Sequence, residues 1–350
     1  MSKNDLVVVT GAGGFIGGHL VRVLQERGHT RIRAVDVKPL DEWYQKTAGV
    51  ENQVGDLALL EPCRAAAKDA RMIYNLAADM GGMNLAADMG GMGFIETHKA
   101  ECMLSVLVST HMLVAAKEAG TERFFYSSSA YVYNGDKQTR TDVTALKEED
   151  AYPAMPEDGY GWEKLFSERM ARHYREDYGI ATRVARYHNV YGPEGTYDGG
   201  REKAPAAICR KVIAAKLSGK HEIEIWGDGE QTRSFMYIDD CTEGTIKLAH
   251  SDIIQPLNIG SDELVSINRL VDIVEKIAGV RLKRSYKLDA PKGVRGRNSD
   301  ITLIKQLMDW APSIRLEDGM EKTYKWIHDE MTSGKASVVN ALPRQALAAQ

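Results

Sequence analysis

The segment LVVVTGAGGFIG, residues 6–17, decides the fold of this chain. An apolar, β-branched run is followed by closely spaced glycines and then by a helical pattern, which is typical of a strand, a tight turn and a helix. Glycines there let the backbone bend sharply and let a diphosphate approach the N–H groups at the helix start, where the helix dipole favours anions. We predict that the following residues bind the diphosphate of a dinucleotide: Gly11, Gly14, Phe15, Ile16 and Gly17.

Strand-like and helix-like patterns alternate through the first half of the sequence. Apolar runs at residues 32–35, 72–76 and 123–126 alternate with helical patterns, among them residues 58–70 and 95–119. Such alternation indicates βαβ units, in which a parallel sheet carries helices on both faces. The sequence therefore predicts an α/β fold with a Rossmann-type, doubly wound parallel sheet.

The second half is less regular, and we assign it to a smaller C-terminal α/β lobe that binds the substrate. Strands are predicted at residues 184–187 and 222–226, and helices at 205–217 and 266–278. Some segments of this lobe are expected to return to the main sheet. The predicted division is a dinucleotide-binding domain with the catalytic residues at 1–182, the substrate lobe at 183–331 and a disordered tail at 332–350.

The composition is that of an ordinary globular protein. The 350 residues are 43% hydrophobic, and 45 basic and 49 acidic residues spread along the chain give a net charge of −4. No clustered basic stripe is present, and the apolar run at residues 6–9 is too short for a signal peptide or a membrane span. We therefore expect no nucleic-acid partner and no membrane partner.

The four cysteines, Cys63, Cys102, Cys209 and Cys241, are far apart and form no CxxC pair. No histidine is spaced with them as in a metal site, so we predict no bound metal. Reduced thiols are typical of cytoplasmic proteins, and we expect this protein in the cytoplasm.

Two aspartates are candidates for contacts to the adenosine half of a dinucleotide. Asp36 ends the second strand about 20 residues after the glycine turn, where an acid accepts hydrogen bonds from a ribose diol. An acid there repels a 2′-phosphate, which favours NAD over NADP, although Lys38 nearby weakens that preference. Asp56 follows the third strand. It either receives the adenine amino group or is a solvated turn aspartate.

Tyr160 and Lys164 lie four residues apart and therefore share one face of the helix that they begin. A phenol ordinarily loses its proton near pH 10, so it is a poor base at neutral pH. We expect the Lys164 ammonium and the positive charge of a nicotinamide to favour the phenolate and to make Tyr160 a usable base. The serines at residues 127–129, which end an upstream strand, offer a hydroxyl to hold a substrate oxygen beside that phenol.

These motifs resemble those of the extended short-chain dehydrogenases that act on nucleotide sugars. The family's glycine turn, Tyr-x-x-x-Lys pair and serine-bearing strand are matched by residues 10–17, by Tyr160 and Lys164, and by residues 127–129. Within the family, the chain is most similar to the branch that epimerises GDP-mannose at C3 and C5. The segments that carry this similarity are AADMGGM at 77–83, RYHNVYGP at 186–193, GGREKAPA at 199–206, WGDGEQTRSF at 226–235 and GVRGRNSD at 293–300.

The resemblance implies a reaction that begins with oxidation at C4 of the sugar. Tyr160 would remove the 4-hydroxyl proton while NAD takes the hydride, Ser129 would hold the 4-oxygen, and Lys164 would hold the nicotinamide ribose. Ala77 and Ala78, after the fourth strand, would also contact the cofactor. The 4-ketone acidifies the hydrogens at C3 and C5, and the hydride returns after epimerisation. A homodimer through the helices at 95–119 and 156–178 is implied as well.

For the epimerisation step the resembled branch uses a cysteine and a lysine. Lys203 matches the lysine, but the family's Ser-Ser-Ala-Cys reads here as SSAY, which ends at Tyr131. Tyr131 either acts as an acid in the pocket or only shapes it, because it is larger than cysteine and a poorer base at neutral pH. Two alternatives to a 3,5-epimerase therefore stay open. One is a C4 epimerase of a GDP- or UDP-sugar, and the other is a non-catalytic NAD-binding regulator.

Polar residues of the resembled segments are candidates for binding the nucleotide diphosphate. Guanidinium groups match phosphate oxygens, so Arg233 and Arg295 are predicted contacts, with Asn189 and Lys211 as further candidates. Gln231 is a candidate for the ribose or the base. Each of these side chains is alternatively solvated or salt-bridged. A GDP-hexose is favoured over other nucleotide sugars by the resemblance alone.

Residues 75–92 contain the nine residues NLAADMGGM twice without a change. In the resembled family this segment passes the sugar, so the extra copy falls at the mouth of the pocket. A loop insertion costs the fold little but displaces contacts to a substrate. Gly90 and Met92 of the second copy are our candidates for the sugar contact, and Gly81 of the first copy is the alternative. We expect the doubling to be tolerated structurally and to impair activity.

Overall fold

The computed structural model describes residues 2–78, 95, 98–199, 202–290 and 293–333. In the first half, strands and helices alternate, with these bounds: β1 (Val7–Thr10), α1 (Phe15–Glu26), β2 (Ile32–Asp36), β3 (Glu51–Val54), α2 (Leu60–Ala67), β4 (Met72–Asn75), α3 (Lys99–Glu118), β5 (Arg123–Ser129), α4 (Asp158–Tyr178) and β6 (Ala181–Tyr187). The elements of the second half are β7 (Val190–Tyr191), α5 (Ala204–Ser218), β8 (Glu222–Trp226), β9 (Thr232–Ser234), β10 (Met236–Tyr237), α6 (Ile238–His250), β11 (Leu257–Ile259), β12 (Leu264–Ser266), α7 (Ile267–Ala278), β13 (Lys283–Lys287), β14 (Gly296–Arg297), α8 (Thr302–Met308) and α9 (Leu316–Thr332).

A seven-stranded sheet in the order β11-β6-β5-β4-β1-β2-β3 forms the centre of the fold. All of its neighbouring strands are parallel. The strand order reverses beside β1, because the chain first moves outward through β2 and β3 and then continues on the other side with β4. In open α/β sheets, ligands bind outside the carboxyl ends of the strands at such a reversal. The predicted doubly wound α/β fold is confirmed.

The central strand β1 is buried on both faces, which explains its unbroken run of valines. Val7 and Val9 belong to one core cluster with Leu20 of α1. Val8 points to the opposite face and belongs to a second cluster with Met112 of α3. By length and composition alone α3 is able to cross a membrane; in this fold it packs between α2 and α4.

Several predicted boundaries differ from those of the structure. The helix predicted at 58–70 ends at Ala67, because Lys68 leaves helical geometry and Asp69 has a φ of +62°. β5 continues beyond the predicted residue 126, because its ladder with β6 runs on to pair Ser129 with Tyr187. The division predicted after residue 182 falls inside β6, and β11 of the second half also joins the sheet. The assignment of two lobes stays a prediction.

Smaller sheets of the second half bring distant segments together. β9 pairs with β12 in antiparallel and with β14 in parallel orientation, and β8 pairs with β13. In the β9–β14 pair, Arg233 and Arg297 are direct partners, although Arg297 lies 64 positions after Arg233 in the sequence. The predicted disordered tail begins where α9 ends at Thr332, and residues 334–350 lie outside the described residues.

Candidate active site

The turn between β1 and α1 has little space for side chains at its glycines. Gly11 has a φ of +70°, and a Cβ on Gly17 would lie 2.1 Å from the Gly11 carbonyl oxygen. Gly14 is the N-cap residue of α1. Because glycine has no side chain, it leaves the N–H groups of the first helical turn, which starts with Phe15 and Ile16, uncovered. A helix start of this kind attracts phosphate. These residues fit the diphosphate of NAD.

A buried polar network fixes the carboxyl ends of three strands beneath this turn. Thr10 Oγ1 donates to Asn75 Oδ1 at 2.7 Å and accepts from the backbone N–H of Ala77 at 3.2 Å. Ser127 Oγ donates to the Asn75 carbonyl at 3.1 Å. The network sets the path of Ala77 and the following Ala78, both predicted to contact the cofactor. Sequence reasoning missed Asn75, whose signal was a polar residue that ends an otherwise apolar strand.

The two aspartates differ in burial and in contacts. Asp36 is buried at the end of β2, where its carboxylate accepts from the backbone N–H groups of Gly13 and Lys38, each at 3.0 Å. These bonds orient the carboxylate beside the glycine turn, as a ribose contact requires. Asp56 is exposed, and its Oδ1 accepts from the backbone N–H of Ala58 at 2.9 Å. That hydrogen bond is typical of an aspartate in a turn. The contact between Asp56 and the adenine amino group stays a prediction.

Tyr160 is buried near the start of α4 and faces the end of β5. Its side chain lies close enough to Ser129 for that hydroxyl to influence its ionisation, and its ring lies edge-on to the Tyr131 ring, with 5.3 Å between the centroids. Burial raises the pKa of Tyr160 well above its ordinary value, the Glu163 charge adds to the rise, and the Ser129 hydrogen bond opposes it. Ser129 and Tyr160 are therefore brought together as predicted.

Lys164 is buried with its ammonium held by α4 and β5. Its Nζ donates to the Ser127 carbonyl at 3.1 Å and lies 3.4 Å from Glu163 Oε1. The Nζ is also 5.5 Å from the centroid of the Tyr160 ring. Burial favours a lower pKa for Lys164, but the Glu163 carboxylate and Tyr126 raise it above its ordinary value. That Lys164 and the nicotinamide charge together favour the Tyr160 phenolate stays a prediction.

Tyr131 lies next to Tyr160 in the turn that follows β5. The Arg297 guanidinium lies over the Tyr131 ring, 4.6 Å from its centroid. Burial raises the pKa of Tyr131, and Arg297 opposes that rise. Arg297 is 3% exposed and was missing from the sequence-based site. Its position in the GVRGRNSD segment indicated it as a site residue, but the predicted phosphate contact in that segment was Arg295.

Lys203 caps α5 and shares its surroundings with two arginines. Burial lowers the pKa of Lys203 to about 8, and the positive charges of Arg297 and Arg233 contribute to the decrease. The same guanidinium of Arg297 lies over the Tyr131 ring, so the charge of one arginine acts on both predicted acid–base residues. An amine with a pKa near 8 exchanges protons readily at neutral pH.

The predicted substrate contacts fall into two groups. Arg233 is buried and donates to the carbonyls of Thr232 and Val294, at 2.7 and 2.6 Å, and the pKa of Arg233 is lowered to about 10 by burial and then by Arg297. Asn189 donates to the Ser234 carbonyl at 3.2 Å, and Gln231 donates to the Trp226 carbonyl at 2.8 Å. All three therefore lie on or beside β9.

Arg295 and Lys211 are engaged elsewhere. Arg295 forms a two-point ion pair with Asp228, with both N–O distances at 2.8 Å. Lys211 donates to the Glu224 carbonyl at 2.9 Å. A phosphate contact would require each side chain to leave these partners. Gly90 and Met92 lie outside the described residues.

A cavity of about 750 Å³ opens beside the Arg297 cluster. It lies between the turn at Gly135–Gln138, the start of α4 and the segment that precedes β14, and Gln138, Glu157 and Arg295 are in its wall. The first two of these side chains are bonded to Arg297. The wall of the cavity therefore includes two side chains that hold Arg297 in place.

Known proteins match nearly the whole chain. The profile of the NAD dependent epimerase/dehydratase family matches residues 7–260. The GDP-mannose 3,5-epimerase of Arabidopsis thaliana is 44% identical over 336 residues, which are 96% of this chain and 85% of that protein. The UDP-glucose 4-epimerase of Thermotoga maritima with UDP-glucose has a TM-score of 0.80 at 23% identity, covering 93% of this chain and 99% of that one. The UDP-glucuronic acid 4-epimerase of Bacillus cereus with UDP-glucuronic acid and NAD has a TM-score of 0.72 at 25% identity, covering 92% and 98%.

The matched region begins at β1 and ends just after β11. It therefore contains the glycine turn, Tyr160, Lys164 and all seven strands of the central sheet. The glycine turn and the buried Asp36 fit NAD, and the Tyr160–Ser129 pair fits the abstraction of a hydroxyl proton. The chain belongs to the NAD dependent epimerase/dehydratase family and is an NAD-dependent nucleotide-sugar epimerase.

Proposed function

We propose that this protein epimerises a GDP-hexose, with GDP-mannose as the first candidate, at C3 and C5. Support for the substrate comes from the 44% identity to the plant GDP-mannose 3,5-epimerase. Support for the chemistry comes from Lys203 at the start of α5, where burial and the charges of Arg297 and Arg233 lower its pKa to about 8. Tyr131 packs edge-on against Tyr160 with the Arg297 guanidinium over its ring, and this arrangement is the observation that carries the proposal.

The first half of the reaction needs a base for the 4-hydroxyl. Tyr160 accepts that proton, and Ser129 orients both the phenol and the sugar oxygen. NAD, when bound, supplies the hydride acceptor at C4 and later returns the hydride. The glycine turn at Gly11 and Gly17 would hold its diphosphate, and Asp36 its adenosine ribose. Lys164, bonded to the strand end at Ser127, is placed to hold the other ribose.

The second half of the reaction needs an acid and a base for carbon-bound protons. The 4-ketone makes the hydrogens at C3 and C5 acidic, so an amine is strong enough to remove them. Lys203 meets this requirement, because its pKa near 8 leaves part of it unprotonated at neutral pH. Tyr131 is the other candidate, since its ring packs against Tyr160 and lies beneath the Arg297 guanidinium.

A C4 epimerase is the second candidate function. One observation favours it: Tyr131 stands where the resembled branch has a cysteine, and the pKa of Tyr131 is raised by burial, so it is a poor base. A C4 epimerase requires no carbon acid chemistry, only a 4-keto sugar that turns over in the pocket before the hydride returns. The relative from Bacillus cereus is a 4-epimerase of this general kind.

One experiment separates the two functions. Purified protein is incubated with GDP-mannose in D2O, with and without added NAD, and the sugar is followed by NMR. The proposed function requires deuterium at C3 and C5, new epimers and no net reduction of NAD. Inversion at C4 without deuterium at C3 or C5 would establish the second candidate and exclude the first.

We also propose a homodimer and a cytoplasmic location. Large apolar side chains of two adjacent helices are exposed, and they suit a second copy of the chain: Met103, Leu104 and Leu107 of α3, and Trp162 and Phe166 of α4. The Leu104→Glu variant should be monomeric by analytical ultracentrifugation if these helices form the interface. Support for the cytoplasm comes from the four cysteines, which are buried free thiols; fractionation of the source cells tests it.

A further inference from the structure

A buried carboxylate, Glu163, lies on α4 directly beside the residues assigned to oxidation at C4. It stands between Tyr160 and Lys164 in the sequence and is 2% exposed. Its Oε2 accepts from the Tyr126 hydroxyl at 3.1 Å and from Ser167 Oγ at 3.3 Å. A glutamate is almost never buried to this degree without a paired charge. The position of Glu163 therefore requires a cation close to it.

Lys164 supplies that cation. Its Nζ lies 3.4 Å from Glu163 Oε1, and both side chains are buried. The ammonium also donates to the Ser127 carbonyl at 3.1 Å, but a carbonyl carries no charge to balance it. Among the described residues, Glu163 is the only carboxylate within ion-pair distance of the Lys164 ammonium. A buried lysine that lacks a nearby anion tends to lose its proton.

We propose that Glu163 is a positioning residue: as the buried counter-ion of Lys164, it keeps that side chain an ammonium where it holds the cofactor ribose. The inference rests on the proposed place of Lys164 at that ribose, and it applies to both candidate functions. An ammonium donates stronger hydrogen bonds to ribose hydroxyls than a neutral amine does. Its charge also favours the Tyr160 phenolate. Without the carboxylate, both effects would be lost as the pH rises.

The other groups around Lys164 do not replace this anion. The rings of Tyr126 and Tyr160 have their centroids 5.1 and 5.5 Å from Nζ, and aromatic rings attract a cation less strongly than a carboxylate does. Burial favours the neutral amine, yet the pKa of Lys164 is raised, because Glu163 and Tyr126 outweigh burial. The titratable groups that face this site are Glu163 and Tyr160 from α4, Tyr126 from β5 and, on the far side of Tyr160, Cys102 from α3 and Tyr131 after β5.

A second buried carboxylate on the same helix provides a comparison. Glu168 accepts from Arg186 Nε at 2.9 Å and from Arg186 Nη2 at 2.7 Å, and it also accepts from Ser128 Oγ at 2.5 Å. A guanidinium keeps its charge in proteins whatever its partner, so Glu168 does not decide the charge of Arg186. A lysine does titrate when it is buried, so Glu163 does decide the charge of Lys164. The same substitution at the two glutamates therefore isolates the role of a counter-ion.

The test measures the affinity of the full-length protein, freed of cofactor, for NADH as a function of pH. NADH is the probe because its nicotinamide ring is uncharged and its fluorescence reports binding without any sugar. The wild-type affinity should be constant from about pH 6.5 to about pH 9, because Lys164 stays protonated in this range. In Glu163→Gln the pKa of Lys164 falls, so the ammonium is lost as the pH rises. The affinity of this variant should therefore decrease by about tenfold over the same range.

Three variants separate this role from a general effect on packing. Glu168→Gln makes the same change on the same helix but leaves Lys164 paired, so its NADH affinity should not vary with pH. Glu163→Asp keeps the negative charge and should restore part of the affinity at high pH. The Glu163→Gln/Lys164→Arg double variant carries a cation that does not titrate, so its affinity should be independent of pH. Lys203, with a pKa of about 8, is present in every variant and contributes equally to all the curves.

Three results would overturn the inference. A constant affinity in Glu163→Gln would show that another group keeps Lys164 charged, and an equal loss at every pH would show a purely structural role. A pH-dependent loss that persists in Glu163→Gln/Lys164→Arg would assign the titration to another residue. If Glu163→Gln does not fold, Glu163→Asp decides the question, because its shorter carboxylate should give a smaller loss confined to high pH. The titration contains no sugar, so its failure is distinguishable from an absence of deuterium at C3 and C5, which would refute the proposed function.

Discussion

The two halves of the candidate site are built in different ways. The residues for oxidation at C4 come from adjoining pieces of chain: Ser129 ends β5, and Tyr160 and Lys164 lie on one turn of α4. The residues for epimerisation come from four separate segments, which contribute Tyr131, Lys203, Arg233 and Arg297. The first half depends on helix periodicity and one strand pair, whereas the second depends on the small β9–β14 pair.

This difference between the two sets of residues shows at which positions a substitution can change the reaction without disturbing the fold. Tyr160 and Lys164 are buried against the central sheet, and their neighbours Glu163 and Tyr126 belong to the same packing. Tyr131 stands in a turn, where a change of side chain leaves the sheet intact. The residues for oxidation are therefore constrained by the packing of the central sheet, while the side chain of Tyr131 is constrained by Arg297 and Tyr160.

Tyr160→Phe should have the largest effect, because the second half of the reaction needs the 4-ketone that the first half makes. We expect turnover to fall by about 1,000-fold, within the range for loss of a general base. Both deuterium incorporation and epimer formation should disappear by NMR, while the melting temperature stays near that of the wild type. Deuterium at C3 or C5 in this variant would contradict the assignment of Tyr160.

The Lys203→Met variant should separate oxidation at C4 from epimerisation at C3 and C5. Epimer formation and deuterium incorporation at C3 and C5 should fall by about 100-fold or more. Oxidation at C4 should continue, visible as near-ultraviolet absorbance of reduced cofactor after substrate is mixed with the enzyme. If that absorbance is lost as well, Lys203 serves substrate binding rather than proton transfer.

The rate of deuterium incorporation at C3 and C5 should depend on pH through the protonation of Lys203. The base form of Lys203 decreases about tenfold for each pH unit below its pKa, so deuterium incorporation should rise up to about pH 8 and then level off. Since the pKa of Tyr131 lies above its ordinary value, proton donation is not lost in that range. A rate of incorporation that is constant between pH 6 and pH 8 would contradict Lys203 as the base.

The Asp36→Asn variant should bind NAD more weakly and should bind the substrate like the wild type. The amide keeps the size of the side chain but loses the charge that accepts from Gly13 and Lys38 and would accept from the ribose diol. A hydrogen bond to a charged group contributes about 1.5–3 kcal/mol, so NAD affinity should fall by about 10-fold to 100-fold. Calorimetric titration measures this, and an equal loss of GDP-mannose affinity would show a general defect instead.

Deletion of residues 84–92 should have the smallest effect on stability. The sequence predicts a loop for the repeat, and halving the length of a loop changes the free energy of unfolding by only about 0.6 kcal/mol. The melting temperature should therefore shift by about 1–2 °C, while activity should increase if the extra copy displaces contacts to the sugar. A large loss of stability would show that the second copy is part of the fold.

The fold and the cofactor end could be predicted because their signals are local. Glycine spacing between a strand and a helix, alternation of apolar runs, and two residues one helical turn apart all translate directly into backbone geometry. The element ends were less predictable. β5 continues to Ser129 because β6 pairs with it there, and α2 stops where Asp69 takes a positive φ.

By itself, the sequence determined the doubly wound sheet, the glycine turn, Asp36, the Tyr160–Lys164 pair and the family to which the chain belongs. Only the tertiary structure decided that Arg297 lies over the Tyr131 ring and that Arg295 is instead bound by Asp228. The two arginines are two positions apart in one short segment, so composition and spacing do not distinguish them. The pairing of β14 with β9 does, because it turns Arg297 into the buried cluster beside Arg233 and leaves Arg295 at the rim.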